Sequence, residues 1–226
     1  MEIMETEGVN MGREIRITGT GSIKVRPDMT RVTMTISDID KQYDKALAAS
    51  SENSERLREI VSGLGFSASD LKTVSFDVKV ENVGYRDRND NWKERFVGYR
   101  VNHCLKVEFE SDNQLLGKLL GAVAACSANP QFKINFFVKD NEGAKNLLLG
   151  NAIKDAKQKA SVLAEASGVV LKEIQRIDYS WGEVRFESRE ELFDSAPSGA
   201  TESLRFDIEP DDISTSDSVT VVWEIE

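Results

Sequence analysis

Chemistry in proteins concentrates in a few residue types, and this chain is sparing with the most reactive of them. It has one histidine, His103, and two cysteines, Cys104 and Cys126. A histidine-based nucleophilic triad would have to use His103. His103 and Cys104 are neighbours in an alternating segment, which puts their side chains on opposite faces of the strand expected there. His103 therefore reads as a core or sheet-surface histidine rather than a catalytic base. Zinc needs three or four ligands. One histidine and two scattered cysteines do not supply them, so no metal or cofactor site is expected. The cysteines read as buried free thiols, the commonest state of unpaired cysteine.

Phosphate chemistry would need a glycine-rich turn at a helix N-terminus. The stretch ITGTGSIKVRPDM, Ile17–Met29, offers Gly19 and Gly21. It lacks the third glycine of a dinucleotide fingerprint and the Gly-Lys-Ser/Thr ending of a P-loop, and no helix pattern follows. Glycines inside an alternating pattern mark a bulge or a close approach of another backbone. Carboxylates are abundant enough for a paired-carboxylate hydrolase. Asp28 is the acid to watch, although an aspartate after Pro27 serves equally to bond backbone amides in a turn. Asp87–Asn91, DRNDN, has oxygen ligands but neither the glycine nor the distal glutamate of a calcium loop. The surrounding Tyr85, Trp92 and Phe96 sit among charges; they either pack back on their own sheet or make a contact with a partner. Self-association is the expected contact, because homo-oligomers are the common soluble assemblies.

The elements that must position these residues follow from periodicity. Alternation predicts strands over Glu14–Val25 and from Met29, then a helix capped by Asp38 or Asp40 and ending near Gly63 or Gly65. Val74, Phe76, Val78 and Val80 alternate with polar residues, which predicts a half-buried strand and a long hairpin returning through Phe96–Glu110. A helix capped by Ser111 or Asp112 follows, then a strand, then a long helix with a stripe of small residues ending at Gly168. A further strand, a long acidic loop over about 182–212 and a last strand, SVTVVWEIE, complete the pattern. Neighbouring strands without intervening helices imply antiparallel pairing. The fold class is α+β, an antiparallel or mixed sheet with about three helices packed on it. Residues 1–13 are expected to be flexible and 14–226 to form one domain.

Charge is unevenly spread. Residues 183–226 hold 13 acidic and 3 basic side chains, which accounts for the whole net charge of −10. A neutral body with an acidic end argues against nucleic acid as a partner. No apolar run approaches the ~20 residues of a membrane helix. The opening residues, MEIMETEGVNMGRE, have no basic start followed by an apolar core, so the sequence as given reads as cytoplasmic.

Several of these features occur together in one family. Gly19 and Gly21 in a strand, Pro27-Asp28 before an alternating strand, GYRVNHCLKVEF (Gly98–Phe109), the alanine-rich helix of Ala152–Val169, and Pro210, Asp211 and Asp212 before the final strand resemble the SIMPL-domain proteins. The resemblance covers roughly Glu14 to the end. It implies a SIMPL-like fold, a periplasmic or envelope location and a connection to stress. It carries over no catalytic residues. The resulting expectation is a non-enzymatic protein acting by homo-oligomerisation or partner binding. A small-ligand-binding protein, or a carboxylate-dependent hydrolase, is the alternative.

Overall fold

Period-two alternation becomes strands wherever one face can be buried, and the computed structural model describes residues 13–180, 184–188, 191–193 and 208–226. In chain order the elements are β1 (Glu14–Val25), β2 (Met29–Asp40), α1 (Tyr43–Gly63), β3 (Lys72–Arg86), β4 (Trp92–Glu110), α2 (Asn113–Ala124), β5 (Gln131–Phe137), α3 (Asn141–Ser167), β6 (Leu171–Asp178), β7 (Glu191–Phe193) and β8 (Ile213–Ile225). The class is α+β, with antiparallel sheets and helices packed on them. The chain divides into two units.

The first unit carries the sheet β1-β8-β6 and the helix α3. The last strand is the central one, antiparallel to β1 on one side and to β6 on the other. Its Val219, Val221 and Trp223 form a core with Ile17 and with Ala152, Ala156 and Ala160 of α3. Alanines four apart give α3 a flat stripe that lets the helix axis come close to the sheet. Gly19 and Gly21 complete that approach. A Cβ on Gly19 would stand 2.6 Å from the Ala156 Cβ and inside the Ala152 carbonyl. One on Gly21 would stand 2.7 Å from the Ala152 amide and inside the Leu148 carbonyl. Both glycines lie within β1, opposite Val219 and Asp217. Polar groups finish the join: the Thr20 amide donates to Asp155 at 2.7 Å, and Asn151 donates to the Ser22 carbonyl. Asp140 caps α3 at the Gly143 amide, and Gly168 ends it at φ +67.

The second unit carries the sheet β3-β4-β2-β5-β7, with α1 and α2 on one face. Val32, Met34 and Ile36 of β2 meet Leu105 and Val107 of β4, Phe132 and Ile134 of β5, Leu57 and Val61 of α1, and Leu116, Leu119 and Leu120 of α2. Each such side chain contributes about 1.5–3 kcal/mol by leaving water. Asp112 is the α2 cap, accepting from the Gln114 and Leu115 amides. The α1 cap differs from expectation. It is Gln42, whose side chain makes no capping bond. Asp40, the last residue of β2, bonds the Gln42 amide at 2.8 Å, and Asp38 lies two residues earlier in the same strand.

Of the segment expected as a long loop, two pieces run beside β5. Glu187 bridges Phe137, the Ser188 amide donates to the Phe136 carbonyl, and β7 pairs with β5. Residues 182–183, 189–190 and 194–207 of that segment lie outside the described residues, as does the expected flexible start apart from Arg13.

β3 is the main departure. Expected to be half-buried, it is exposed along most of its length. The reason is its place in the sheet: α1 packs on β2 and β4, and β3 is the edge strand beyond it.

Candidate interaction surface

The residues that could do chemistry are spread over separate places. His103 projects from β4 toward α1, where its Nδ1 lies 2.7 Å from Ser54 Oγ. A serine–histidine pair at this distance is the geometry of an activated nucleophile. The hydrogens run the other way. Ser54 Oγ donates its one hydrogen to the Ser50 carbonyl at 2.7 Å. The network therefore assigns the imidazole hydrogen to Nδ1, donating to Ser54, and leaves Nε2 to accept from Thr73 Oγ1 at 3.0 Å. The imidazole bridges α1, β4 and β3. Burial, and secondarily the Arg58 charge, hold it below the usual histidine range. Sequence reading missed this bridge. Its signal was the small polar middle of the α1 face, Ser50 and Ser54, which needed a polar partner from the sheet.

Asp38 makes a second tie under α1. It accepts from Asn53 at 2.7 Å, and burial raises its carboxyl above the usual range against that bond. Cys104 is half-buried, and its strand position puts it on the sheet face opposite His103; Cys126 is buried after α2.

Asp28 joins three strand ends. Its carboxylate accepts from the Lys139 amide at 2.7 Å, its amide donates to the Phe137 carbonyl, and its carbonyl accepts from the Ser111 amide. Those bonds connect the start of β2 to the ends of β5 and β4. Pro27, beside it, is buried. The hairpin tip is closed on itself. Asp87 accepts from the Asn89 and Asn91 amides and pairs with Lys93 at 2.9 Å, while Arg86 pairs with Asp90. Lys93 and these amides hold the Asp87 carboxyl below its usual range. Among the described residues no group of three histidine, cysteine or acidic side chains is placed to hold a metal.

What the unit does present is surface. β3 pairs with β4 from Lys72↔Lys106 out to Arg86↔Trp92, whereas β2 covers β4 only from Tyr99 onward. The outer hairpin is thus a two-stranded arm. By register, Trp92 and Phe96 lie on the helix-side face with Val80, Val78 and Phe76. Trp92 packs its ring on Gly84, where a side chain would collide with it. Phe96 meets Tyr99 edge-on at 5.4 Å, and Tyr99 meets Tyr43 at the same distance. Tyr85 falls on the other face, opposite Lys93. The three aromatics singled out in the sequence therefore do not form one cluster. Trp92 and Phe96 instead join a stripe with Phe76 and Val80, each 43–67% exposed.

A family model described as SIMPL, protein of unknown function (DUF541), matches residues 15–223. The chain belongs to the SIMPL family. A 26 kDa periplasmic immunogenic protein of Brucella abortus is 26% identical to this SIMPL chain over 174 residues, 76% of this chain and 69% of the relative. Its counterpart in Brucella melitensis matches to the same extent. An uncharacterised protein, YggE, of Edwardsiella ictaluri is 24% identical over 214 residues, 95% of this chain and 87% of the relative. The cytoplasmic expectation gains no support from relatives two of which are called periplasmic. No helix among the described residues of the SIMPL chain is long and apolar enough to cross a membrane.

Proposed function

We propose that this SIMPL chain works without catalysis, through self-assembly or partner binding at the β3–β4 hairpin, in the cell envelope. One observation carries the reading: the exposed stripe of Phe76, Val80, Trp92 and Phe96 along an edge strand and its projecting arm. Large contiguous apolar patches on a folded surface mark interaction sites. An unprotected sheet edge is a template for pairing. The envelope assignment draws on the relatives called periplasmic.

Light scattering on the purified chain tests the first part. The expected result is a defined oligomer that shifts to smaller species when Trp92 and Phe96 are both replaced by serine. A strict monomer at high concentration, binding no partner through the hairpin, refutes it. Fractionation of cells expressing the full reading frame tests the second part, with recovery in the periplasmic fraction expected.

A further inference from the structure

β3 is a long edge strand that, among the described residues, pairs on one side only. Edge strands are usually protected by proline, bulges or unmatched charges. β3 has no proline, and its two irregularities fall between Thr73 and Ser75, at its start, and between Glu81 and Asn82, about two-thirds of the way along. Between them runs a regular segment, Ser75–Glu81, whose midpoint is Val78.

The sequence of that segment is complementary to itself read backwards. Phe76-Asp77-Val78-Lys79-Val80 has an apolar residue at its centre, opposite charges on either side, and apolar residues beyond them. In an antiparallel pair of two such strands with Val78 opposite Val78, Asp77 of each copy faces Lys79 of the other. Phe76 then faces Val80. Side chains alternate across a strand, so both charge pairs fall on the polar face, with Asn102 and Arg100. All apolar pairs fall on the helix side, where Phe76 and Val80 are at least half exposed in one copy. Lys79 already lies 3.3 Å from its own Asp77, so each ammonium would sit between two carboxylates. Opposite charges directly across an antiparallel pair stabilise it, and like charges there destabilise it.

We propose that two copies of this chain pair through β3, antiparallel about a two-fold axis at Val78, to form one continuous sheet. The interface is isologous, as closed dimers require. This inference rests on the reading above that the hairpin is an assembly surface, and it names both the occupant and the register.

The test exchanges the charges. Asp77→Lys places lysine opposite Lys79 of the other copy, and Lys79→Asp places aspartate opposite Asp77. Each single variant, with its fold checked by circular dichroism, should dimerise about tenfold to a hundredfold more weakly by analytical ultracentrifugation. An equimolar mixture of the two variants should recover the pairing as a heterodimer. The double variant carrying both changes should recover it as a homodimer, which a loss of fold could not do. If the wild type assembles but the single variants assemble equally well, the β3 register is wrong and assembly through another surface stands. Recovery in neither the mixture nor the double variant also overturns the register. A monomeric wild type overturns the β3 dimer and leaves only the partner-binding half of the reading above.

Discussion

Gly19→Ala adds one methyl group where the structure has no room for it. The new Cβ would stand 2.6 Å from the Ala156 Cβ and closer still to the Ala152 carbonyl oxygen. Carbon atoms in contact prefer about 3.5–4.0 Å, so α3 must withdraw by roughly 1 Å along part of its length. The obstacle is helix backbone, which cannot rotate away as a side chain could. Withdrawal opens the contact of Ala152, Ala156 and Ala160 with Val219, Val221 and Trp223. Overpacking a close-packed site costs typically about 1–3 kcal/mol, and a backbone obstacle places this one near 3. For a chain of this size that corresponds to a Tm lower by about 6–12 °C. Gly150→Ala is the matched control. It makes the same chemical change on α3, at an exposed position where an added Cβ meets nothing within 4 Å. There the methyl group should stabilise by about 0.4–1 kcal/mol through helix propensity and a less flexible unfolded chain. Urea and thermal unfolding followed by circular dichroism measure both. A Gly19→Ala protein within about 0.5 kcal/mol of wild type would refute the close-approach argument, as would two glycine variants of the same sign.

Other consequences are open to measurement. The His103 imidazole is held below its unfolded value of 6.5 by burial and by Arg58, so the unfolded chain binds its proton first as pH falls. Its stability contribution is complete above the unfolded value and is lost as pH falls through 6.5 toward the lower folded value; His103→Gln should flatten urea-derived stability across that window. Asp28→Ala removes the acceptor of the Lys139 amide and should cost about 1–2 kcal/mol, whereas Asp28→Asn keeps an acceptor oxygen and should cost less. Equal losses in equilibrium unfolding would mean that the bond to Lys139 is not what Asp28 contributes. Asp112→Ala removes the side-chain cap of α2 and should cost about 0.5–2 kcal/mol in the same assay.

The strands were legible in the sequence because alternation and burial agreed along them. β2 buries Val32, Met34 and Ile36, and β8 buries Val219, Val221 and Trp223. Gly19 and Gly21 could be placed within a strand, but the helix lying against them could not be named, because packing partners are not a local property. β3 misled for the same reason. Val74 through Val80 carry the pattern of a covered face, yet nothing in the segment records that α1 packs over β2 and β4. The α1 cap misled because Asp40 bonds the Gln42 amide from outside the helix instead of capping it. The His103–Ser54 bridge links an α1 position to a β4 position, and only the register of the sheet under the helix brings them together. Tyr85, Trp92 and Phe96 were visible as aromatics among charges. Which face each took depended on the irregularity after Glu81 and on hairpin register.

The place of β8 has a consequence for how the chain folds. Among the described residues β1 is the first strand and β8 the last, and each β1 residue from Glu14 to Val25 takes its partner from β8. The segment 27–139 holds β2 to β5 with α1 and α2, so most of the five-stranded sheet can close without β8. β1 must meanwhile wait, with Ile17 and its glycine track uncovered, for a strand that follows every other described element in sequence. Contacts of such long sequence separation form late. Translation arrest, or a protease cut before Ile213, would therefore leave a chain with one sheet assembled and the other missing its middle. Until β8 docks, the uncovered faces of β1 and α3 are what a holding chaperone would have to shield.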